Sequence, residues 1–265
     1  MPPWALMWIL AFSIYAACKW VTWRRWQPHI AHPGWRSMAY LLAWPGMDAH
    51  SFLDTSSRAT SPPLGAWLRS IFLTALGATL LWAGARTISE SRTLLRGWTG
   101  MLGAILMLHF GSFKLAALLW QTVGVKATPI MATPLRSASL RDFWGRRWNL
   151  GFHQLAFDFV FIPIRKKLGS GLAAFLVFLV SGVIHDLVIS VPARGGFGLP
   201  TLYFAIQGMG VAIERSRIGK LLGLRQGIRG WLFMAVVTAS PVFWLFHPAF
   251  VLRVIIPFMK AVHAL

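Results

Sequence analysis

Long apolar blocks alternate with short basic loops along this chain of 265 residues, without the strict alternation of half-buried strands. A helix needs about 20 mostly apolar residues to cross a bilayer. The blocks therefore predict seven spans, at residues 4–21, 64–85, 98–121, 171–191, 199–214, 230–246 and 248–262. Two further apolar segments, 38–53 and 150–164, are too short or too polar to span and are predicted to be interfacial or re-entrant. The predicted fold class is an all-α polytopic transmembrane helical bundle with about 7–9 membrane segments, in one membrane-embedded domain over residues 1–265.

Composition supports this assignment and excludes several others. Only 12% of the residues are charged, against about 25% in soluble domains, and 56% are hydrophobic. The single cysteine, Cys18, excludes an intrachain disulfide, a cysteine-rich zinc site and a cysteine-pair redox motif. A formal net charge of +19 would indicate nucleic acid in a soluble protein. Here the basic residues lie between the apolar blocks, so we expect them to contact anionic lipid headgroups and expect no nucleic-acid partner.

The distribution of basic residues predicts an orientation. Three groups, within residues 24–58, 126–167 and 215–229, are richer in Lys and Arg than the other loops. The positive-inside rule places these groups in the cytoplasm, together with the loop at 139–149. Seven spans then leave the N-terminus outside and the C-terminus inside. Arg outnumbers Lys 19 to 7, which favours a GC-rich genome and hence a bacterial inner membrane over the endoplasmic reticulum.

His185 is the first candidate for chemistry, because it is an ionisable residue inside an apolar block. Such residues are costly in a membrane and often functional. A histidine can remove a proton from a hydroxyl near neutral pH. The alternative is a structural histidine that is hydrogen-bonded to a neighbouring helix. Asp186 follows directly, but adjacent helix positions do not face each other, so an orienting or packing role is predicted for it.

The basic aromatic loop at 139–149 carries the second set of candidates. The Asn149 amide could hold a carbonyl oxygen or a substrate hydroxyl, or it could belong to a turn or a helix cap. The candidate substrate-binding residues in the same loop are Trp144, Arg146, Arg147 and Trp148. The two arginines could bind phosphates or lipid headgroups. The two tryptophans could line an acyl entrance or anchor the loop at the membrane interface.

Other polar residues in the apolar blocks are weaker candidates. His109, Lys114, Gln207 and Glu214 are expected to be interhelical hydrogen-bonding or snorkelling groups. No His-x-x-x-His pair, phosphate-binding glycine loop or Gly-x-Ser-x-Gly elbow occurs in the sequence. A covalent serine mechanism and a P-loop ATPase are therefore disfavoured, and no metal is expected.

Several of these segments resemble one family when they are taken together. They are Ser-Leu-Arg-Asp-Phe-Trp-Gly-Arg-Arg-Trp-Asn at 139–149, Phe-Ile-Pro-Ile-Arg at 161–165 and Phe-Leu-Val-Ser-Gly-Val-Ile-His-Asp at 178–186. Trp-Pro-Gly-Met-Asp at 44–48 and the Gln-Gly…Glu pattern at Gln207, Gly208 and Glu214 match more faintly. The pattern resembles the wax-synthase-like branch of the membrane-bound O-acyltransferases, over about residues 139–215.

This resemblance implies an enzyme that transfers an acyl group from acyl-CoA to the hydroxyl of a lipophilic alcohol, forming an ester. The family histidine corresponds to His185 and the family asparagine to Asn149, and the helices would surround an intramembrane tunnel. Acyl-CoA would be a cosubstrate and no cofactor is expected. The expected partners are acyl-CoA, a hydrophobic alcohol and membrane lipids. Asp186 departs from the glutamate that is common at that position in the family. The alternative functions are a membrane transporter and a non-catalytic membrane scaffold.

Overall fold

The computed structural model describes residues 1–29 and 33–265, and the described chain is helical without a β-strand. The predicted all-α fold class is confirmed. The main helices are, in chain order, α1 (Pro3–His29), α2 (Gly34–Ala43), α3 (Ala49–Leu53), α4 (Leu64–Thr87), α5 (Glu90–Thr122), α6 (Leu150–Ala193), α7 (Leu199–Arg215), α8 (Gly227–Leu245) and α9 (residues 248–261).

Five helices are long and apolar enough to cross a membrane, namely α1, α4, α5, α6 and α8. The protein is thus an integral membrane protein by helix length and composition. The remaining two predicted spans correspond to α7, which has 17 residues, and to α9. Seven to nine membrane segments agree with this arrangement, and the tunnel stays a prediction.

Helix α6 joins the short segment predicted at 150–164 to the span predicted at 171–191. The two parts meet at Gly169, whose φ of 78° and ψ of 168° interrupt the helical geometry. Only glycine adopts this conformation readily, because it lacks a Cβ. The sequence therefore places a backbone break between the two apolar segments, and the re-entrant character of the first one stays a prediction.

The chain forms two compact units. The first comprises residues 1–11 and 132–257, and the second comprises residues 12–131 and 258–265. The single-domain assignment stays a prediction. Both motif blocks, 139–149 and 178–186, lie in the first unit, which therefore holds the candidate site.

Glycines bring α4 and α5 together in the second unit. A methyl group built on Gly103 would lie 2.7 Å from the carbonyl oxygen of Gly77, so neither position has room for a side chain. Small residues are common where membrane helices pack closely, because apolar side chains gain little by leaving lipid for a helix surface. Backbone proximity thus sets the contact between these two helices.

The Trp-Pro-Gly-Met-Asp stretch at 44–48 forms the break between α2 and α3 in the second unit. Proline disfavours helical geometry in the residue before it, and Trp44 is extended with φ −127° and ψ 117°. The Lys19 ammonium is buried and donates hydrogen bonds to the carbonyls of Trp44, at 2.8 Å, and Gly46. Asp48 accepts from the Ser51 amide at 3.0 Å and thereby caps α3. The stretch is therefore a hydrogen-bonded corner.

Helix α7 packs against α6 in the first unit. A methyl group on Gly182 would lie 2.6 Å from the Cα of Thr201, and one on Gly208 would lie 2.8 Å from the Phe175 ring. The glycine on α6 precedes His185 by three residues, so the closest approach of the two helices is one turn away from the candidate base. Pro200 in the first turn of α7 has a backbone geometry that suits a helix start.

Candidate functional site

Local hydrogen bonds fold the loop at 139–149 into a compact turn. The Ser139 hydroxyl accepts from the Asp142 amide at 3.1 Å and caps the short helix Leu140–Asp142. The Asp142 carboxylate in turn accepts from the Ala138 amide at 3.1 Å and from Arg147 Nε at 2.7 Å. A π-helical turn, Phe143–Arg147, follows, and such turns are frequent at functional sites.

Asn149 directly precedes α6 and adopts the left-handed conformation, with φ 45° and ψ 58°. Asparagine tolerates this region better than most residues. Its main-chain carbonyl accepts from the His153 amide at 3.0 Å, whereas its side chain makes no capping hydrogen bond to the helix. The backbone thus takes part in the turn and the carboxamide does not act as the cap. Its role towards substrate stays a prediction.

Arg146 and Arg147 differ in their surroundings. Arg147 pairs with Asp142, and its Nη1 lies 3.3 Å from the hydroxyl of Thr133. Arg146 is exposed. The ion pair fixes the loop internally, so Arg146 is the better placed of the two to reach an anion outside the loop. Phosphate binding by either arginine stays a prediction.

Helix α7 holds the loop through two buried polar side chains. The Gln207 Oε1 accepts from the indole Nε1 of Trp144 at 3.2 Å, and its Nε2 donates to the Val237 carbonyl at 2.8 Å. The Glu214 carboxylate accepts from the Arg141 amide at 3.1 Å. The exposed fractions of Gln207 and Glu214 are 0% and 2%. Both therefore serve as hydrogen-bonding groups between segments, as the sequence predicts.

An aromatic cluster connects the loop to His185. The Trp144 ring lies 5.7 Å from the Phe204 ring and 6.4 Å from the Trp148 ring, measured between centroids. The Phe204 ring also lies 4.5 Å from the His185 imidazole. The two motif blocks thus meet through Phe204 on α7. Asn149 follows Trp148 directly in the chain, which places its backbone at the edge of this cluster.

The hydrogen bond of His185 determines which ring nitrogen can act as a base. Its Nδ1 lies 2.7 Å from the Ser181 carbonyl oxygen. A carbonyl only accepts, so Nδ1 carries the proton in the neutral ring and Nε2 keeps a lone pair. The imidazole is partly buried. The remaining lone pair can accept a proton from a hydroxyl that approaches within hydrogen-bonding distance.

Asp186 faces the start of α7. One carboxylate oxygen accepts from the Ser190 hydroxyl at 2.8 Å and the Gly198 amide at 2.9 Å. The other accepts from the amide of Thr201 at 3.1 Å and from its hydroxyl. Four donors occupy the carboxylate, which matches its accepting capacity. This geometry agrees with the predicted orienting role.

Some residues of the site have no signal in the sequence. Phe204 is one apolar residue of an apolar helix, and Thr201 and Ser190 are common small polar residues. His247 lies between two predicted spans, directly before Pro248. Only spatial proximity distinguishes them. No group of three His, Cys, Asp or Glu side chains lies close enough to hold a metal ion within residues 1–29 and 33–265.

Sequence comparison with known proteins gives independent information about the segment that contains the site. A sequence model described as the membrane bound O-acyl transferase family matches residues 127–206. A probable long-chain-alcohol O-fatty-acyltransferase 3 of Arabidopsis thaliana is 35% identical over 113 residues, which are 38% of this chain and 33% of that protein. A probable long-chain-alcohol O-fatty-acyltransferase 9 of the same plant is 30% identical over 151 residues, covering 52% and 44%.

The long-chain-alcohol O-fatty-acyltransferase of Simmondsia chinensis is 29% identical over 143 residues, covering 49% of this chain and 40% of that protein. The chain thus spans less than half the length of each of these three relatives. The family match contains both motif blocks and Phe204. Residues 127–206 are therefore similar to the membrane bound O-acyl transferase family, and the resemblance predicted from the motif blocks is confirmed over that segment.

Proposed function

We propose that the protein is a membrane O-acyltransferase that transfers an acyl group from acyl-CoA to the hydroxyl of a lipophilic alcohol, as a wax ester synthase does. The three relatives described above are named long-chain-alcohol O-fatty-acyltransferases, and the family match at residues 127–206 contains His185, Trp144 and Phe204. The observation that carries the proposal is the hydrogen bond from His185 Nδ1 to the Ser181 carbonyl, because it assigns the lone pair to Nε2, in a ring that contacts Phe204 of the aromatic cluster.

The proposed reaction is direct transfer without a covalent enzyme intermediate. His185 Nε2 takes the hydroxyl proton while the alcohol oxygen attacks the thioester carbonyl carbon. The carbon–sulfur bond then breaks, and the CoA thiolate takes the proton back from the imidazolium. Products are the ester and free CoA, so the imidazole returns to its starting state. General-base catalysis contributes about 10²–10⁴-fold, and positioning of the two substrates supplies much of the rest.

Other residues assist this step in the proposal. The Asn149 carboxamide holds the carbonyl oxygen or the acceptor hydroxyl. Arg146 and Arg147 bind the phosphates of CoA at the cytoplasmic side. Trp144 and Trp148 line the entrance for the acyl chain. The chemistry uses no metal and no cofactor beyond the acyl-CoA cosubstrate.

The test is an ester-forming assay on detergent-purified protein with labelled acyl-CoA and a long-chain alcohol. His185→Ala is expected to lower kcat by about 10²–10⁴-fold. The matched control is His109→Ala, because His109 is a partly buried histidine of an apolar span in the second unit. The control is expected to retain activity. A folded His185→Ala protein that keeps most of the parent activity would exclude His185 as the base.

We also propose a bacterial inner membrane as the location. The support is the excess of arginine over lysine, 19 to 7, while the relatives described above come from plants. Fractionation of the source cells and detection of the protein in inner-membrane vesicles test this assignment, and recovery from endoplasmic reticulum would overturn it.

A further inference from the structure

A chain of hydrogen bonds begins at Asp186, the residue that follows His185, and continues through Ser190 to His247. The Ser190 hydroxyl lies 2.8 Å from Asp186 Oδ1, 3.3 Å from the Gly196 carbonyl oxygen and 3.4 Å from His247 Nε2. Ser190 and His247 are 0% and 1% exposed. Both side chains are shielded from bulk solvent, so each other and the surrounding protein are their nearest hydrogen-bonding partners.

The partners fix the direction of each bond. A carboxylate and a carbonyl only accept, so the single Ser190 hydroxyl proton points to one of them, and the charged Asp186 at the shorter distance is the stronger acceptor. The Ser190 oxygen then presents lone pairs to His247. Nε2 of His247 must therefore carry a proton and donate to this oxygen.

A second, independent contact gives the same result. His247 precedes Pro248–Phe250, and its Nδ1 accepts from the Phe250 amide at 3.2 Å. Nδ1 therefore has a lone pair, and the proton of the neutral ring is on Nε2. This tautomer is the opposite of that of His185. The Gly196 backbone packs against the His247 ring so closely that a Cβ would collide with it, which holds the ring in place.

The chain ends at the helix that carries Phe204. The Asp186 oxygen that is not bonded to Ser190 accepts from the amide of Thr201 at 3.1 Å and from its hydroxyl. Thr201 precedes Phe204 by three residues on α7, and the Phe204 ring contacts the His185 imidazole. Asp186, the residue after His185, is thus hydrogen-bonded to the turn of α7 that carries Phe204, whose ring contacts the imidazole.

We propose that His247 is a positioning residue for His185, acting through Ser190, Asp186 and Thr201, in the reaction that the proposed function assigns to this site. Donation from His247 holds the Ser190 hydroxyl towards Asp186, and the fixed carboxylate holds α6 and α7 at the spacing that orients the imidazole. His247 itself does not touch substrate. It acts by keeping the imidazole of His185 in one orientation.

Two substitutions at His247 separate this role from helix capping. His247→Asn keeps an acceptor near the position of Nδ1 and caps well, but it has no donor at the position of Nε2. His247→Gln reaches that position with an amide donor and loses the cap. Ser190→Ala removes the middle of the chain. The matched control is again His109→Ala, in the second unit.

The proposal predicts a loss in kcat with little change in KM. His247→Asn and Ser190→Ala are expected to lower kcat by about 10- to 100-fold, as for small misplacements of reacting groups. KM is expected to change by less than about twofold, because substrate contacts are retained. His247→Gln is expected to recover most of the loss, and the double variant Ser190→Ala/His247→Asn to be no worse than either single one. Full activity of His247→Asn, or a deeper loss in His247→Gln than in His247→Asn, would overturn it.

A spectroscopic measurement tests the hydrogen-bonded chain between His247 and His185 without an activity assay. In protein labelled with ¹⁵N-histidine, His247 is expected to be neutral with its proton on Nε2, and His185 neutral with its proton on Nδ1. The His185 ring signals are expected to shift in Ser190→Ala and His247→Asn but not in His109→Ala. A proton on Nδ1 of His247, or unshifted His185 signals, would refute the chain. If the parent protein shows the expected nitrogen signals but forms no ester, the proposed function is refuted and the hydrogen-bonded chain is not.

Discussion

Gln207 on α7 offers the most direct test of how the loop at 139–149 is held against α7 and α8. Its amide joins two groups of opposite character, the Trp144 indole N–H and the Val237 carbonyl. The indole only donates and the carbonyl only accepts, so the amide orientation is determined by its partners. Gln207→Leu preserves much of the side-chain volume and removes both hydrogen bonds. The change therefore isolates polar pairing from packing.

The magnitude follows from the two bonds. Side-chain hydrogen bonds between membrane helices contribute about 0.6 kcal/mol on average and at most about 1.7 kcal/mol. Loss of both is thus expected to lower the free energy of unfolding by about 1–3 kcal/mol, a noticeable part of the roughly 5–15 kcal/mol typical of native proteins. Unfolding in mixed micelles with increasing SDS, followed by circular dichroism, measures this difference.

A double-mutant cycle of Gln207→Leu with Trp144→Phe measures the contribution of the hydrogen bond from the Trp144 indole to Gln207. Loss of ring area contributes equally to both sides of the cycle, so the coupling energy reports the hydrogen bond to Gln207. We expect a coupling of about 0.6–1.7 kcal/mol. The control cycle pairs Gln207→Leu with Trp231→Phe, because the Trp231 indole donates instead to the Leu135 carbonyl at 2.9 Å. Additive effects in both cycles would show that the Trp144–Gln207 bond does not exist in the folded protein.

Two further predictions concern the helix contact beside His185 and the dependence of protein stability on pH in acid. Gly182→Ala would place a methyl group 2.6 Å from a main-chain atom of α7, so kcat is expected to fall by at least about tenfold, whereas Gly171→Ala, which meets open space, should keep parent activity in the same ester assay. Hydrogen bonds from Ser56 lower the pKa of Asp54 from 3.8 to about 2. Because the folded-state pKa is the lower one, the stabilisation is complete above about pH 4 and is lost as the pH falls towards 2. In Asp54→Asn, the SDS concentration at the unfolding midpoint should depend less on pH over that range. An unchanged pH dependence would contradict the assignment.

The sequence alone determined the helical, membrane-embedded character of the protein. Apolar runs of about 20 residues and a charged fraction of 12% are local properties, and no tertiary contact is needed to interpret them. The motif blocks were also visible without a structure, because family resemblance depends on residue order. The apolar segments at 150–164 and 171–191 were also distinct in the sequence, whereas the non-helical conformation of Gly169 between them came from the structure.

Only the tertiary structure decided which atoms these residues present to each other. The proton position on His185 depends on the Ser181 carbonyl, which the helix places beside the ring. The pairing of Trp144 with Gln207 joins positions 63 residues apart, and the approach of His247 to Ser190 joins positions 57 residues apart. Apolar periodicity does not encode such pairs. They exist because buried polar groups must find partners wherever the packed helices bring donors and acceptors together.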